Sequence, residues 1–221
     1  MEDAVKRRGL AASAVLAVLT AAILAVLAMA ASVARGQAPP PVIERPPEFQ
    51  GHGSERHNLR LVGSHPLDAR SSYQPLTRRN AVNGRWYLYV GHHAGSSRNS
   101  LTGQVEDNGT SILDVTDPRR PRLVRHIPAT DTPGQPNQNQ AQMVRVCNGT
   151  QLPAGADESK VYMLRSNGNV SHELWDVTNP AQARLIRTLV SGLEGTHKSE
   201  WHCESGIAYL VSGVPGWGTG A

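Results

Sequence analysis

The stretch SILDVTDPRRPRLVR, residues 111–125, is written again with small changes as HELWDVTNPAQARLIR at residues 172–187. Asp114 and Asp176 stand 62 positions apart, each followed by Val-Thr, then Asp or Asn, then proline, and a few residues later by Arg-Leu-(Val or Ile)-Arg. Proline fixes φ and forces the residue before it to be extended, and an Asp or Asn ahead of it caps a turn through backbone N–H groups. The motif therefore ends one strand, reverses the chain and begins another. Asp114, Asp117 and Pro118, and their counterparts Asp176, Asn179 and Pro180, read as turn-building residues. Along both copies the strand before the turn is apolar on each face, with Ile112 opposite Leu113 and Val115, and Leu174 opposite Trp175 and Val177. A strand apolar on both faces needs a sheet stacked on either side.

Working outward, each copy carries more than its turn. WYLYVG (86–91), KVYMLR (160–165) and GIAYLVSG (206–213) are equivalent, and before them stand YQPLTRR (73–79), AQMVRVC (141–147) and HKSEWHC (197–203). One unit is four short strands, giving repeats of about 73–127, 141–190 and 197–221. The segment LRLVG (59–63) matches PRLVR (121–125) at the same spacing of 62, as a lone fourth strand that closes a ring would. Asn-Gly pairs at 83, 108, 148 and 167 predict tight hairpin turns, and nothing after residue 58 has the period of an amphipathic helix. The expectation is an all-β fold: a β-propeller of four-stranded antiparallel blades, incomplete here, with two and a half blades and one leading strand. Because the sequence stops after the second strand of a blade, it reads as a C-terminally truncated fragment of a larger ring.

The first 38 of the 221 residues are of another kind. Lys6, Arg7 and Arg8 precede an Ala/Leu/Val run from Leu10 to Val33, and small residues follow it. That is the layout of an export signal, with an uncleaved membrane anchor as the alternative, and Arg7-Arg8 resembles a twin-arginine signal. Residues 39–57 carry five prolines and read as a linker, leaving 58–221 as the domain. Residues 1–38 hold four basic and two acidic side chains, so the net charge of +4 becomes +2 without them. The basic residues are scattered, which excludes a nucleic-acid footprint and leaves the membrane as a partner only through the N-terminal segment.

The pattern Ala-Tyr-Leu-Val (208–211), Leu-Asp-Val-Thr-Asp-Pro (113–118) and Pro-Arg-Leu-Val (121–124) resembles the bacterial LVIVD-repeat proteins, which are exported β-propellers. The resemblance covers residues 58–221 and implies a periplasmic or extracellular setting. It implies little about chemistry, because function lives in sites and not in folds.

Histidine is the most suggestive residue type, with nine in the chain. His92 and His93 open the long segment after YLYVG, and His197 and His202 flank Glu200. These four are the metal candidates, and a site near a propeller axis built from His93, His197 and further blades would suit a transition metal such as zinc, copper or iron; the alternative is loop histidines bonding to backbone. Strand alternation puts His197 and His202 on opposite faces. Cys147 and Cys203 hold equivalent places in successive repeats, so an oxidising compartment permits a disulfide between them, with two separate thiols as the alternative. Asn108, Asn148 and Asn169 begin glycosylation-like triplets that also fit turn residues. Asp107, Asp157 and Glu158 lack the spacing of a calcium loop, and no phosphate loop or nucleophile elbow is present. Two functional classes stand: an exported module that binds an envelope protein or glycan through its long loops at 92–104 and 148–159, and a metal-dependent periplasmic enzyme with histidines at the channel.

Overall fold

The computed structural model of the chain describes residues 60–130 and 140–216, all within one compact unit, Ser54–Ala221. The expected export segment and proline-rich linker lie outside the described residues. Within them there is no α-helix, only short 3-10 turns at Leu67–Ala69, Gly149–Gln151 and Pro180–Gln182, and every strand pairing is antiparallel.

The first sheet is a four-stranded meander of β1 (Tyr73–Arg79), β2 (Trp86–Gly91), β5 (Gly109–Asp114) and β6 (Arg122–Pro128). Between β2 and β5 the chain builds a separate two-stranded ribbon, β3 (Ser96–Arg98) with β4 (Val105–Asp107). The second sheet is an equivalent meander of β7 (Val144–Asn148), β8 (Val161–Asn167), β9 (Ser171–Asp176) and β10 (Arg184–Val190). A third hairpin pairs β11 (Ser199–His202) with β12 (Ile207–Leu210). The repeat is thus one four-stranded sheet per copy. Its register is shared as well, since Tyr89 pairs with Ile112 in the first sheet and Leu164 with Leu174 in the second.

Apolar residues on both faces of the central strands set the stacking. Tyr87, Tyr89 and Ile112 turn toward the second sheet and meet Val144, Val146, Val161 and Met163 in one core. Val90, Leu113 and Leu123 face the other way, where Leu67 of the leading segment packs on them. The first strands of the three sheets adjoin in succession, β1 beside β7 and β7 beside β11. Cover is uneven: Leu185 and Ile186 on β10, and Ile207 and Tyr209 on β12, are each about half exposed or more.

Three expectations are corrected. Residues 60–63 form no strand; the edge that a lone fourth strand would complete has no counterpart among the described residues, and Gly63 instead packs against the 117–120 turn, where an added Cβ would lie 2.2 Å from the Pro118 carbonyl. Only two of the four Asn-Gly pairs make hairpin turns. Asn83-Gly84 joins β1 to β2, and Asn167-Gly168 joins β8 to β9 with positive φ at Gly168 and Asn169, as a type I′ turn requires. At Asn108 and Asn148 the glycine serves close approach: a Cβ on Gly109 would sit 2.1 Å from the Ile127 carbonyl, and one on Gly149 2.0 Å from that of Asp157. Finally, 92–104 is not an unstructured loop, because it contains β3 and most of the ribbon's turn.

Candidate functional site

The ribbon is held from beneath by one buried arginine. Arg70, on the segment leading into β1, donates from Nη1 to Asn108 Oδ1 (2.5 Å) and the Glu106 carbonyl (3.1 Å), and from Nη2 to the Ser97 carbonyl (2.7 Å). A planar guanidinium can satisfy such a fan of acceptors on two strands at once. Asp68 accepts from the backbone N–H of Ser100 at 3.0 Å, and its carbonyl accepts from the Ser97 hydroxyl. At the ribbon's tip Glu106 accepts from Asn99 (2.9 Å) and Thr102 (2.6 Å). Burial raises the Glu106 carboxyl, but these two bonds together with the nearby His126 and Arg70 more than offset it, and its pKa lies below the ordinary value. Leu101 and Val105 remain exposed on the ribbon, at 51% and 72%. In the second copy the same position is the tight turn at Asn167–Val170.

The four histidines singled out from sequence are not gathered into one site. His92 is fully buried, its Nδ1 bonded to the Ser71 carbonyl and its Nε2 2.8 Å from Ser111 Oγ, so neither nitrogen is open to a ligand. His93 and His197 are exposed and come together around Tyr73, with ring centroids 4.7 Å and 6.1 Å from the tyrosine's. His202 lies apart, its Nδ1 2.9 Å from Ser205 Oγ. Among the described residues no three His, Cys, Asp or Glu side chains are placed to hold a metal ion. Along β11 Ser199 is buried while Glu200 and His202 face solvent; His197 precedes the strand and is exposed as well.

The opposite end of the sheets carries the turn motif, and there the two copies agree atom for atom. Asp114 Oδ1 accepts the Thr116 N–H at 3.0 Å, and Asp176 Oδ1 the Thr178 N–H at 2.9 Å. The other carboxylate oxygen takes a cation from the start of the second strand, Arg85 in one copy and Lys160 (2.9 Å) in the other. Arg122 and Arg184 approach the same oxygens at 3.7 Å and 3.8 Å. Thr116 and Thr178 hydroxyls accept from the N–H of Trp86 and Val161. Burial raises both Asp pKa values, and the hydrogen bonds of Thr116 and Thr178 with those cations bring them below the usual range. Asp117 accepts from the Arg119 N–H, while Pro180 opens the 3-10 turn that follows Asn179. Cys147 and Cys203 are joined by a disulfide with Cα atoms 5.6 Å apart, tying the third hairpin to β7. The 148–159 segment sits at this end, away from the ribbon, and is fixed by a capping box between Asn148 and Gln151. Asn148 also bonds across to the first sheet, accepting from Ala81 N–H and donating to the Arg79 carbonyl.

Three groups escaped the sequence reading. Arg165 and Glu173 form a buried ion pair (2.8 Å), and Arg165 also donates to the Ile127 and Pro128 carbonyls of the first sheet. Trp175 donates to the same glutamate, and its ring lies 4.8 Å from the guanidinium carbon. His126 completes a chain with Ser111 and His92. The signal for Arg165 was a lone charge inside VYMLRSN, a strand apolar on both faces. For Ser111 and His126 no local signal exists.

Comparison of the chain with models of known families, with curated proteins and with solved structures finds no match. Ser111, hydrogen-bonded to two imidazoles, has the composition of an activated nucleophile, but at 1% exposure it meets no substrate. The accessible groups at this end are the rings of Tyr73, His93 and His197 and the ribbon's Leu101, Val105 and Arg98. Aromatic, apolar and hydrogen-bonding groups on a rigid support suit noncovalent recognition.

Proposed function

We propose that this chain is an exported β-propeller module of the LVIVD-repeat kind, and that it binds an envelope protein or glycan through the ribbon end of its first sheet. The propeller reading is supported by two equivalent four-stranded sheets, by a third hairpin in series, and by first strands that adjoin one after another. The Cys147–Cys203 disulfide suits an oxidising compartment. The observation that carries the binding reading is the ribbon itself. The copies share the chemistry of their Asp-Val-Thr turns, yet between its second and third strands the first replaces a tight turn with β3 and β4, buries Arg70 to hold them, and leaves Leu101 and Val105 in solvent. An exposed, rigidly supported insertion of this kind is where recognition surfaces are commonly built.

The test is co-sedimentation of the purified exported chain with envelope fractions, before and after protease treatment and after glycan digestion. Retention abolished by one treatment identifies protein or glycan as the ligand. A chain that stays wholly in the supernatant contradicts the reading.

A further inference from the structure

Behind the ribbon three buried side chains form a line between two backbone carbonyls. The Ser71 carbonyl meets His92 Nδ1, His92 Nε2 lies 2.8 Å from Ser111 Oγ, Ser111 Oγ 3.1 Å from His126 Nδ1, and His126 Nε2 2.8 Å from the Asp107 carbonyl. All three side chains are at most 3% exposed. We infer that this line is a binding site for a single proton, shared by His92 and His126 through the Ser111 hydroxyl.

The line has one hydrogen too few. A carbonyl oxygen only accepts, so the outer contacts require N–H on His92 Nδ1 and on His126 Nε2. With both rings neutral, those protons are spent, and His92 Nε2 and His126 Nδ1 both turn lone pairs toward Ser111. The hydroxyl owns one hydrogen and can satisfy one of them. Shifting either tautomer moves the defect to the end of the line without removing it. Four contacts hold three hydrogens in every neutral arrangement. One added proton supplies the fourth: His126 Nδ1–H donates to Ser111 Oγ, and Ser111 O–H donates to His92 Nε2, or the reverse. A second proton would aim N–H groups at Ser111 from both sides and set two charges side by side, with ring centroids 5.8 Å apart. The site therefore takes one proton and refuses the next, and the pair titrates as a unit.

The surroundings decide when the proton enters. Arg70 on the leading segment faces both rings, and Arg165 of β8 faces His126; both disfavour a cation there. Glu106 on β4 favours it, and Asp107 contributes through its carbonyl. Burial is the largest influence, and with these neighbours it leaves each imidazole lowered to about 4. Uptake thus belongs to acid conditions. Because the line's ends are Ser71, next to the ribbon's anchor Arg70, and Asp107 on β4 itself, the proton completes the bonding that clamps the ribbon to the sheet. This holds whatever the ribbon binds.

Imidazole nitrogen NMR of the full exported chain, titrated from about pH 8 into the acid range around the histidine values, reads the site directly. The expected result is one step in which His92 and His126 resonances move together with uptake of one proton. Two independent midpoints, uptake of two protons in the folded state, or unfolding before either ring titrates would overturn the inference. Ser111→Ala removes the bridge and is expected to lower the midpoint by about one pH unit, since an unmet buried group is worth about that much. Ser111→Thr keeps the hydroxyl and is expected to restore it. A midpoint unmoved in Ser111→Ala contradicts the sharing.

Discussion

Arg165 and Glu173 face each other across β8 and β9 at the very place where the first sheet has Val90 and Ser111. The two sheets share a register, so each copy is a control for the other. Where both copies carry the same groups, as at Asp114 and Asp176, the groups serve the turn. Where they differ inside the core, the difference reports what each sheet packs against. Arg165 is fully buried, and two of its donors reach the last carbonyls of β6, so the ion pair fastens the second sheet to the first.

Removing one partner of this pair leaves a charge buried without its mate. Arg165→Met or Glu173→Gln is expected to cost about 3–5 kcal/mol in urea unfolding. The double change Arg165→Val with Glu173→Ser, which copies the first sheet, is expected to cost less than Arg165→Val and Glu173→Ser made singly and summed, because no lone charge remains. Additivity would show that the pair is not the unit described.

The disulfide is the covalent link between the third hairpin and the second sheet, closing a separation of 56 residues. Cys147→Ser with Cys203→Ser is expected to lower stability by about 2–5 kcal/mol. Hydrogen exchange should then show protection lost at β11 and β12 and kept at β8 and β9. Uniform loss across all of them would mean that the hairpin is no separable element.

Asp114 and Asp176 should respond alike, because their partners are alike. Replacing either by Ala removes a carboxylate that accepts from a threonine N–H, and is expected to cost about 1–3 kcal/mol. Both carboxyls have folded pKa values below the unfolded value. Their contribution is therefore present above the ordinary Asp range and is lost as pH falls through the folded values, and acid titration of each single variant should lack that portion. A large cost at one position and none at the other would break the equivalence of the copies.

His172 supplies a separate acid sensitivity. It is fully buried on β9 with Nε2 2.9 Å from Ser212 Oγ, and burial lowers its pKa to about 4. The unfolded ring binds a proton near 6.5 and the folded ring does not. The His172 contribution to stability should fall as pH drops from about 6.5 to about 4 and then level off. His172→Leu should flatten that portion of the curve. An unchanged slope would place the titrating group elsewhere.

The strands were legible because their cues are local: apolar alternation, Asp-Val-Thr and proline specify strand and turn wherever the chain places them. The candidate site was only partly legible. Ser111 and His126 become a pair with His92 only once β2, β5 and β6 lie side by side, and no spacing in the sequence announces that. The ribbon was hidden because Ser96–Arg98 and Val105–Asp107 have no apolar face; Arg70 gives them their support from 26 or more residues earlier. The segment 60–63 misled for the converse reason. It resembles β6 closely, but a strand needs an edge to join.

The two ends of the sheets offer the most direct test of the proposed binding surface. Residues 96–107 can be replaced by the tight turn of the second copy, and the 148–159 segment can be altered separately at its exposed positions, with binding to the envelope fraction measured for both. Loss of binding in the ribbon variant, with an unchanged melt and with binding kept in the other, is the predicted result. Binding kept without the ribbon, or lost only with the 148–159 changes, would contradict the account.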